Sequence, residues 1–149
     1  LMQQENLTSE ERLMAMLSHL SLLFGGIILP IIFWATQKDK SRFIRYHALQ
    51  SIFFQIAYVV ILVILIVALA LFAIFFGLGL GILTANTTSD PAAFPILIVL
   101  FVVLFYAAII ISAFGLMGYS IYLAVKSYQG SYIKVPIIGN IIYKKVYTP

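Results

Sequence analysis

The side chains in this chain that could do chemistry are few, and their spacing says more than their number. His47, Ser51, Gln55 and Tyr58 follow one another at i, i+4, i+8 and i+11, which places them on one helical stripe with Gln50 beside it. Ser112, Gly115, Tyr119, Tyr122 and Lys126 keep the three-and-four spacing of a heptad seam on a later segment. Polar groups at membrane depth are costly against lipid, so such stripes face protein or a wet cavity. They either bond helices together or line a polar path. His19 lies within the first apolar run, and no Asp or Glu in any such run could relay a proton with it.

Reactive constellations are missing from the sequence. Cysteine is absent, which removes disulfides, thiol catalysis and thiolate metal sites. Two histidines on separate segments, with no H-x-x-x-H pair, supply too few ligands for a metal. There is no G-x-S-x-G elbow, S-x-x-K or Walker loop, and the GLGLG run at Gly77 to Gly81 is not a dinucleotide fingerprint. The five acidic residues all lie outside the long apolar runs, so paired-carboxylate chemistry has no candidates. The expectation is a protein that is not an enzyme and has no catalytic residues, cofactor or metal.

The elements that must position these residues are membrane helices. With 63% hydrophobic and 9% charged residues, the composition lies far from the globular average of about 25% charged. Leu13–Gln37, Tyr46–Ser89 and Pro91–Val125 are uncharged runs of 25, 44 and 35 residues, against the ~20 needed for one crossing. The fold class is therefore all-α, a polytopic membrane helical bundle forming a single membrane domain over 1–149. A T/S-x-x-E capping pattern at Thr8 to Glu11 opens a helix at about Ser9, and Gly25, Gly26 and Pro30 interrupt it. Residues 9–36 then form either one kinked span or a re-entrant helical hairpin. A second helix runs over 43–80 with a looser glycine-rich exit, an external loop over 84–95, and a third helix over 96–127. A surface helix over 134–146 follows, its Ile137, Ile138, Ile141 and Ile142 making one apolar face.

Basic residues orient this arrangement. Lys38, Lys40, Arg42 and Arg45 crowd the first connection, and Lys126, Lys134, Lys144 and Lys145 the tail, whereas 84–95 has neither Lys nor Arg. The positive-inside rule puts both basic segments and the C-terminus on the cytoplasmic side, beside anionic lipid headgroups. The first twelve residues carry three acids against one arginine, the wrong sign for a cleavable leader. No basic patch lies outside these flanks, so nucleic acid is not an expected partner. Membrane lipids are, together with a second copy or a larger membrane complex.

Three fragments carry a family resemblance: RLMAMLSHLSLLFGG, ILPIIFWATQKDKSRFIRYHALQSIFF and YLAVKSYQGSYIKVPIIG. Their most specific parts are Phe43 to Gln50 and the tail from Gly130 through Pro136 to Gly139. The chain resembles the small prokaryotic membrane proteins grouped with Tic-twenty, the chloroplast inner-envelope protein-import subunit. That resemblance implies a compact helical domain in a prokaryotic plasma (inner) membrane, and it favours a hairpin-like N-terminal unit. The expected role is a non-enzymatic accessory or assembly subunit. The alternative is a transport or channel component, for an ion, a small solute or a protein, with His19, His47, Gln50 and Gln55 lining the path.

Overall fold

The computed structural model of the chain describes residues 6–24, 26–85 and 93–147. These form five helices and no strand: α1 (Ser9–Phe24), α2 (Ile28–Gln37), α3 (Arg42–Ala85), α4 (Ala93–Tyr128) and α5 (Ile138–Tyr147). α3 and α4 are long and apolar enough to cross a membrane.

The capping box at the start of α1 is reciprocal. The Glu11 amide donates to Thr8 Oγ1 at 3.2 Å while the Thr8 amide donates to Glu11 Oε2 at 2.9 Å, which satisfies two donors at the helix start. α1 stops because Gly26 takes φ 56°, its amide turned back to the Ser21 carbonyl at 2.6 Å, a conformation that favours glycine. α1 and α2 are thus separate helices, and they pack against one another. At ~24 Å and ~15 Å, each falls short of the ~30 Å hydrocarbon layer. The start of α1 meets the corner between α2 and α3: Asn6, Leu7 and Glu11 line one cleft with Lys40, Ser41 and Arg42. The chain leaves this end along α1 and comes back to it along α2.

The looser exit expected at the glycine-rich end of the second helix is not found, since α3 runs unbroken through Gly77, Gly79 and Gly81 to Ala85. A Cβ on any of the three would meet nothing within 4 Å, so these glycines mark no close helix approach among the described residues. In hydrocarbon a helix has no water to replace its backbone bonds, which holds even a glycine-rich stretch helical. Of the loop expected over 84–95, residues 86–92 lie outside the described ones, while its ends belong to α3 and α4. α4 ends in a Schellman turn: Gly130, at φ 78°, donates to the Ser127 carbonyl at 2.9 Å and Ser131 to that of Lys126 at 3.1 Å.

The last helix begins later than expected, at Ile138. Ile137 stands at φ 66°, unusual for a β-branched residue, in a tight turn where the Ile138 amide reaches the Pro136 carbonyl at 2.7 Å. Gly139 permits this turn, because a Cβ there would lie 2.7 Å from Lys134 Cα. The four isoleucines do not share a face. Ile138, Ile142 and Val146 pack on Tyr46, Ile141 is exposed on another side of α5, and Ile137 is exposed because its turn lies outside the helix.

Contacts divide the chain into two compact units, Leu1–Tyr58 with Gly115–Pro149, and Val59–Phe114. The first holds the buried core. In the second the long apolar side chains face outward, with Phe72 stacked on Phe76 at 5.2 Å and against Phe101 at 4.9 Å.

Candidate functional site

The interior of the first unit sets buried polar side chains among its apolar ones. Ala15, Ser18, His19 and Ser21 are the buried residues of α1, while its leucines lie at the margin or outside. Small side chains bring the backbone of α1 close to α3, and its carbonyls then serve as acceptors. Ser51 Oγ and Ser21 Oγ both donate to the Ser18 carbonyl, which has two lone pairs to offer. Gln55 Nε2 donates to Ser21 Oγ at 3.0 Å and to Ser51 Oγ at 3.1 Å. Ser120 Oγ, from α4, donates to the His19 carbonyl.

At the centre, His19 Nε2 and His47 Nδ1 stand 3.2 Å apart, their rings edge to face. Ser127 Oγ donates to the Leu123 carbonyl at 2.7 Å and lies 3.0 Å from the same His47 nitrogen. Ser127 Oγ and His19 Nε2 thus both lie within hydrogen-bond distance of His47 Nδ1, and the ring tautomers set which atom donates. Phe43 and Tyr46 close over His47 at ring distances of 4.5 and 5.0 Å. Tyr46 Oη and Gln50 Nε2 then tie α3 to the segment after α4, both donating to the Ile133 carbonyl, at 3.0 and 3.2 Å.

His19, His47, Gln50, Ser51 and Gln55 of the expected set therefore share one buried cluster, and Tyr58 sits half-buried at its edge. The seam on the third helix falls elsewhere. α4 buries Ser120, Leu123, Ala124 and Ser127, each of the two serines one position beyond a seam residue, a rotation of about 100°. Serine fits against a neighbouring backbone where tyrosine does not. Tyr119 is half-buried on Phe54 at 5.8 Å, Tyr122 is exposed, and Ser112 is exposed and bonded to Ile109 of its own helix. Ser18, Ser21, Ser120 and Ser127 were not among the expected residues. The signal that could have found them is small polar residues at helical spacing among leucines: Ser18 and Ser21 beside His19, and Ser120 and Ser127 seven apart.

The basic residues surround this core at one end. Lys38, Lys40, Arg42 and Arg45 line a cleft of about 310 Å³ at the α2 to α3 corner, and Lys38 Nζ lies over the Trp34 ring at 5.4 Å. Lys134 Nζ lies 4.4 Å over Tyr143, Lys144 and Lys145 are exposed on α5, and Lys126 is half-buried. Glu11 is the acid at this end whose ionisation is perturbed. Burial opposes its charge, but hydrogen bonds from Ser41 and from the amide and hydroxyl of Thr8 outweigh that and hold its carboxyl below the ordinary range.

Among the described residues no three His, Asp or Glu side chains gather as metal ligands. The buried network does what its chemistry allows: it fixes three helices and the tail against each other through bonds whose only apolar alternative would be an unsatisfied donor.

A search of curated proteins and one of solved structures each return no match. A family model does match, over residues 10–142, and it overturns the resemblance drawn from the sequence fragments: it is not that of the Tic-twenty-like proteins. The blocks that suggested the other family, around Phe43 to Gln50 and Gly130 to Gly139, here build the first turns of α3 and the tail turn of a packed helical unit. The chain belongs to the MamF/MmsF family, the magnetosome magnetite crystal formation proteins.

Proposed function

We propose that this protein is a non-enzymatic integral membrane subunit that supports magnetite crystal formation as an accessory or assembly component, packing with itself or within a larger membrane complex. The observation that carries the accessory reading is the closed character of the polar core. His19, His47, Ser51, Gln55, Ser120 and Ser127 are at most 6% exposed and each bonds another helix or its backbone, as packing groups do and as the lining of a water-filled path does not. In the membrane, α1 and α2 form a re-entrant hairpin and α3 and α4 cross. The α2 to α3 corner and α5 lie at the cytoplasmic face, with Ile137 and Ile141 turned to the lipid and Lys134, Lys144 and Lys145 to its headgroups.

Deletion and complementation in a magnetite-forming bacterium test the role, with crystal number and size read by electron microscopy. Loss of the gene should change crystal size or number, and the wild-type chain should restore both. Unaltered crystals after deletion overturn the proposal. Purified protein in liposomes should carry no ion or proton flux above empty vesicles; flux lost in His47→Ala and Gln55→Ala would instead favour a transport role. Topology is read with Glu10→Cys, the chain having no cysteine of its own. Labelling from the cytoplasm supports the hairpin, and labelling from the far side replaces it with a single N-terminal span.

A further inference from the structure

The Lys38 to Arg45 corner has a cavity, four cations and a rigid frame. The frame comes from the backbone. Lys40 and Ser41 amides both donate to the Gln37 carbonyl at 3.0 Å, ending α2, and Ser41 Oγ accepts from the Ile44 amide at 3.3 Å, opening α3. The corner is thus a fixed turn with its cations held at set positions. Its two clefts, of about 310 and 300 Å³, share Lys40, Ser41 and Arg42 as a common wall.

One cation there has an unmet demand. Arg45 Nε is buried and has no hydrogen-bond partner among the described residues. A guanidinium N–H removed from water without an acceptor is costly, and an arginine fork suits an oxyanion. Asp39 is the one acid lining the first cleft, against Lys38, Lys40, Arg42 and Arg45, which leaves an excess of positive charge. Lys38 lies over the Trp34 ring beside the cleft, and tryptophan is the residue type enriched where membrane helices meet lipid headgroups.

We propose that this corner binds a phosphate group, held by Lys40, Arg42 and Arg45 and supplied by an anionic phospholipid headgroup or by free phosphate. The inference stands apart from any role in crystal formation.

The test uses the full chain in lipid nanodiscs, with phosphatidylglycerol or phosphatidylcholine as the bilayer and inorganic phosphate as the soluble probe. Thermal stability and native mass spectrometry of retained lipid are the readouts. A higher midpoint and retained lipid in phosphatidylglycerol alone support the site with lipid as the source. A midpoint raised by millimolar phosphate in phosphatidylcholine supports it with free phosphate. In either case Arg42→Gln and Arg45→Gln should weaken binding at least tenfold, while Arg12→Gln, equal in charge change but lining neither cleft, should leave it within twofold. Lys40→Gln, at an exposed position, serves should Arg45→Gln fail to fold. No response to either probe, or equal loss in Arg12→Gln, overturns the proposal.

Discussion

The two units of this protein are built on opposite rules. In the first, small and polar side chains are buried beside Phe43, Tyr46 and Leu123, and the leucines of α1 are at the margin. In the second, from Val59 to Leu83 there is no polar side chain at all, and residues such as Ile64, Phe75 and Ile111 are 60%, 72% and 71% exposed. The difference follows from the solvent. Lipid is as apolar as leucine, so burying leucine gains little there, and helix association rests on close packing and hydrogen bonds. The first unit has both and a defined interior. The second has the length and hydropathy of a crossing and, among its described residues, mostly outward-facing apolar side chains.

Glycine substitution should separate the two most widely. Gly139→Ala sets a Cβ 2.7 Å from Lys134 Cα, and because the obstacle is backbone the turn must shift. A loss of about 1–3 kcal/mol is expected, read from thermal unfolding in detergent. Gly79→Ala, with open space around its Cβ, should instead stabilise α3 by about 0.5–1 kcal/mol. Equal effects at the two sites would erase the distinction between a packed and an open unit.

The polar core gives the next largest effect. Gln55→Leu removes donors to Ser21 and Ser51 and should cost about 0.6–2 kcal/mol. A cycle with Ser21→Ala isolates the cross-helix share, since the two side chains touch. In the second unit Ile64→Ala is expected to stay within about 0.5 kcal/mol. If Gln55→Leu proves silent while Ile64→Ala does not, stability rests on the apolar unit.

These residues also show how much could be read from the sequence. The stripe of His47, Ser51 and Gln55 was legible because polar groups at depth must be sheltered, whatever shelters them. Their acceptors were not legible. Ser18, His19 and Ile133 accept through backbone carbonyls, which every residue has and no side-chain pattern marks. The seam on α4 was misplaced by one position because tyrosine looks like the polar partner, while geometry rewards the smaller serine beside it. The break at Gly26 was legible from its glycines, but whether it kinked a span or divided two helices depended on the packing of α1 against α2, which no local pattern marks. Membership in the family lay beyond such reasoning, since apolar spans of many families share one composition.

The smallest effect probes the edge of the packed unit, where α1 begins. Thr8→Ala removes one half of the capping box and should cost about 0.5–1 kcal/mol. Its other half is pH-dependent. Glu11 has its carboxyl held below the ordinary 4.5 in the folded chain by Ser41 and Thr8, against the effect of burial. A depressed folded value means that the folded state favours the carboxylate. The stabilisation is complete above the unfolded value and is lost as pH falls through the folded one. The thermal midpoint of the wild type should therefore hold from about pH 8 to about pH 5.5 and decline below about 4.5. Glu11→Gln should start lower at neutral pH and converge with the wild type in acid. Glu11 and Ser41 line one cleft where α1 meets the α2 to α3 corner, and Ser41 helps to hold the Glu11 carboxyl down, so Ser41→Ala should flatten the same decline. A wild-type profile unchanged by Glu11→Gln would leave the start of α1 tied to that corner by packing alone.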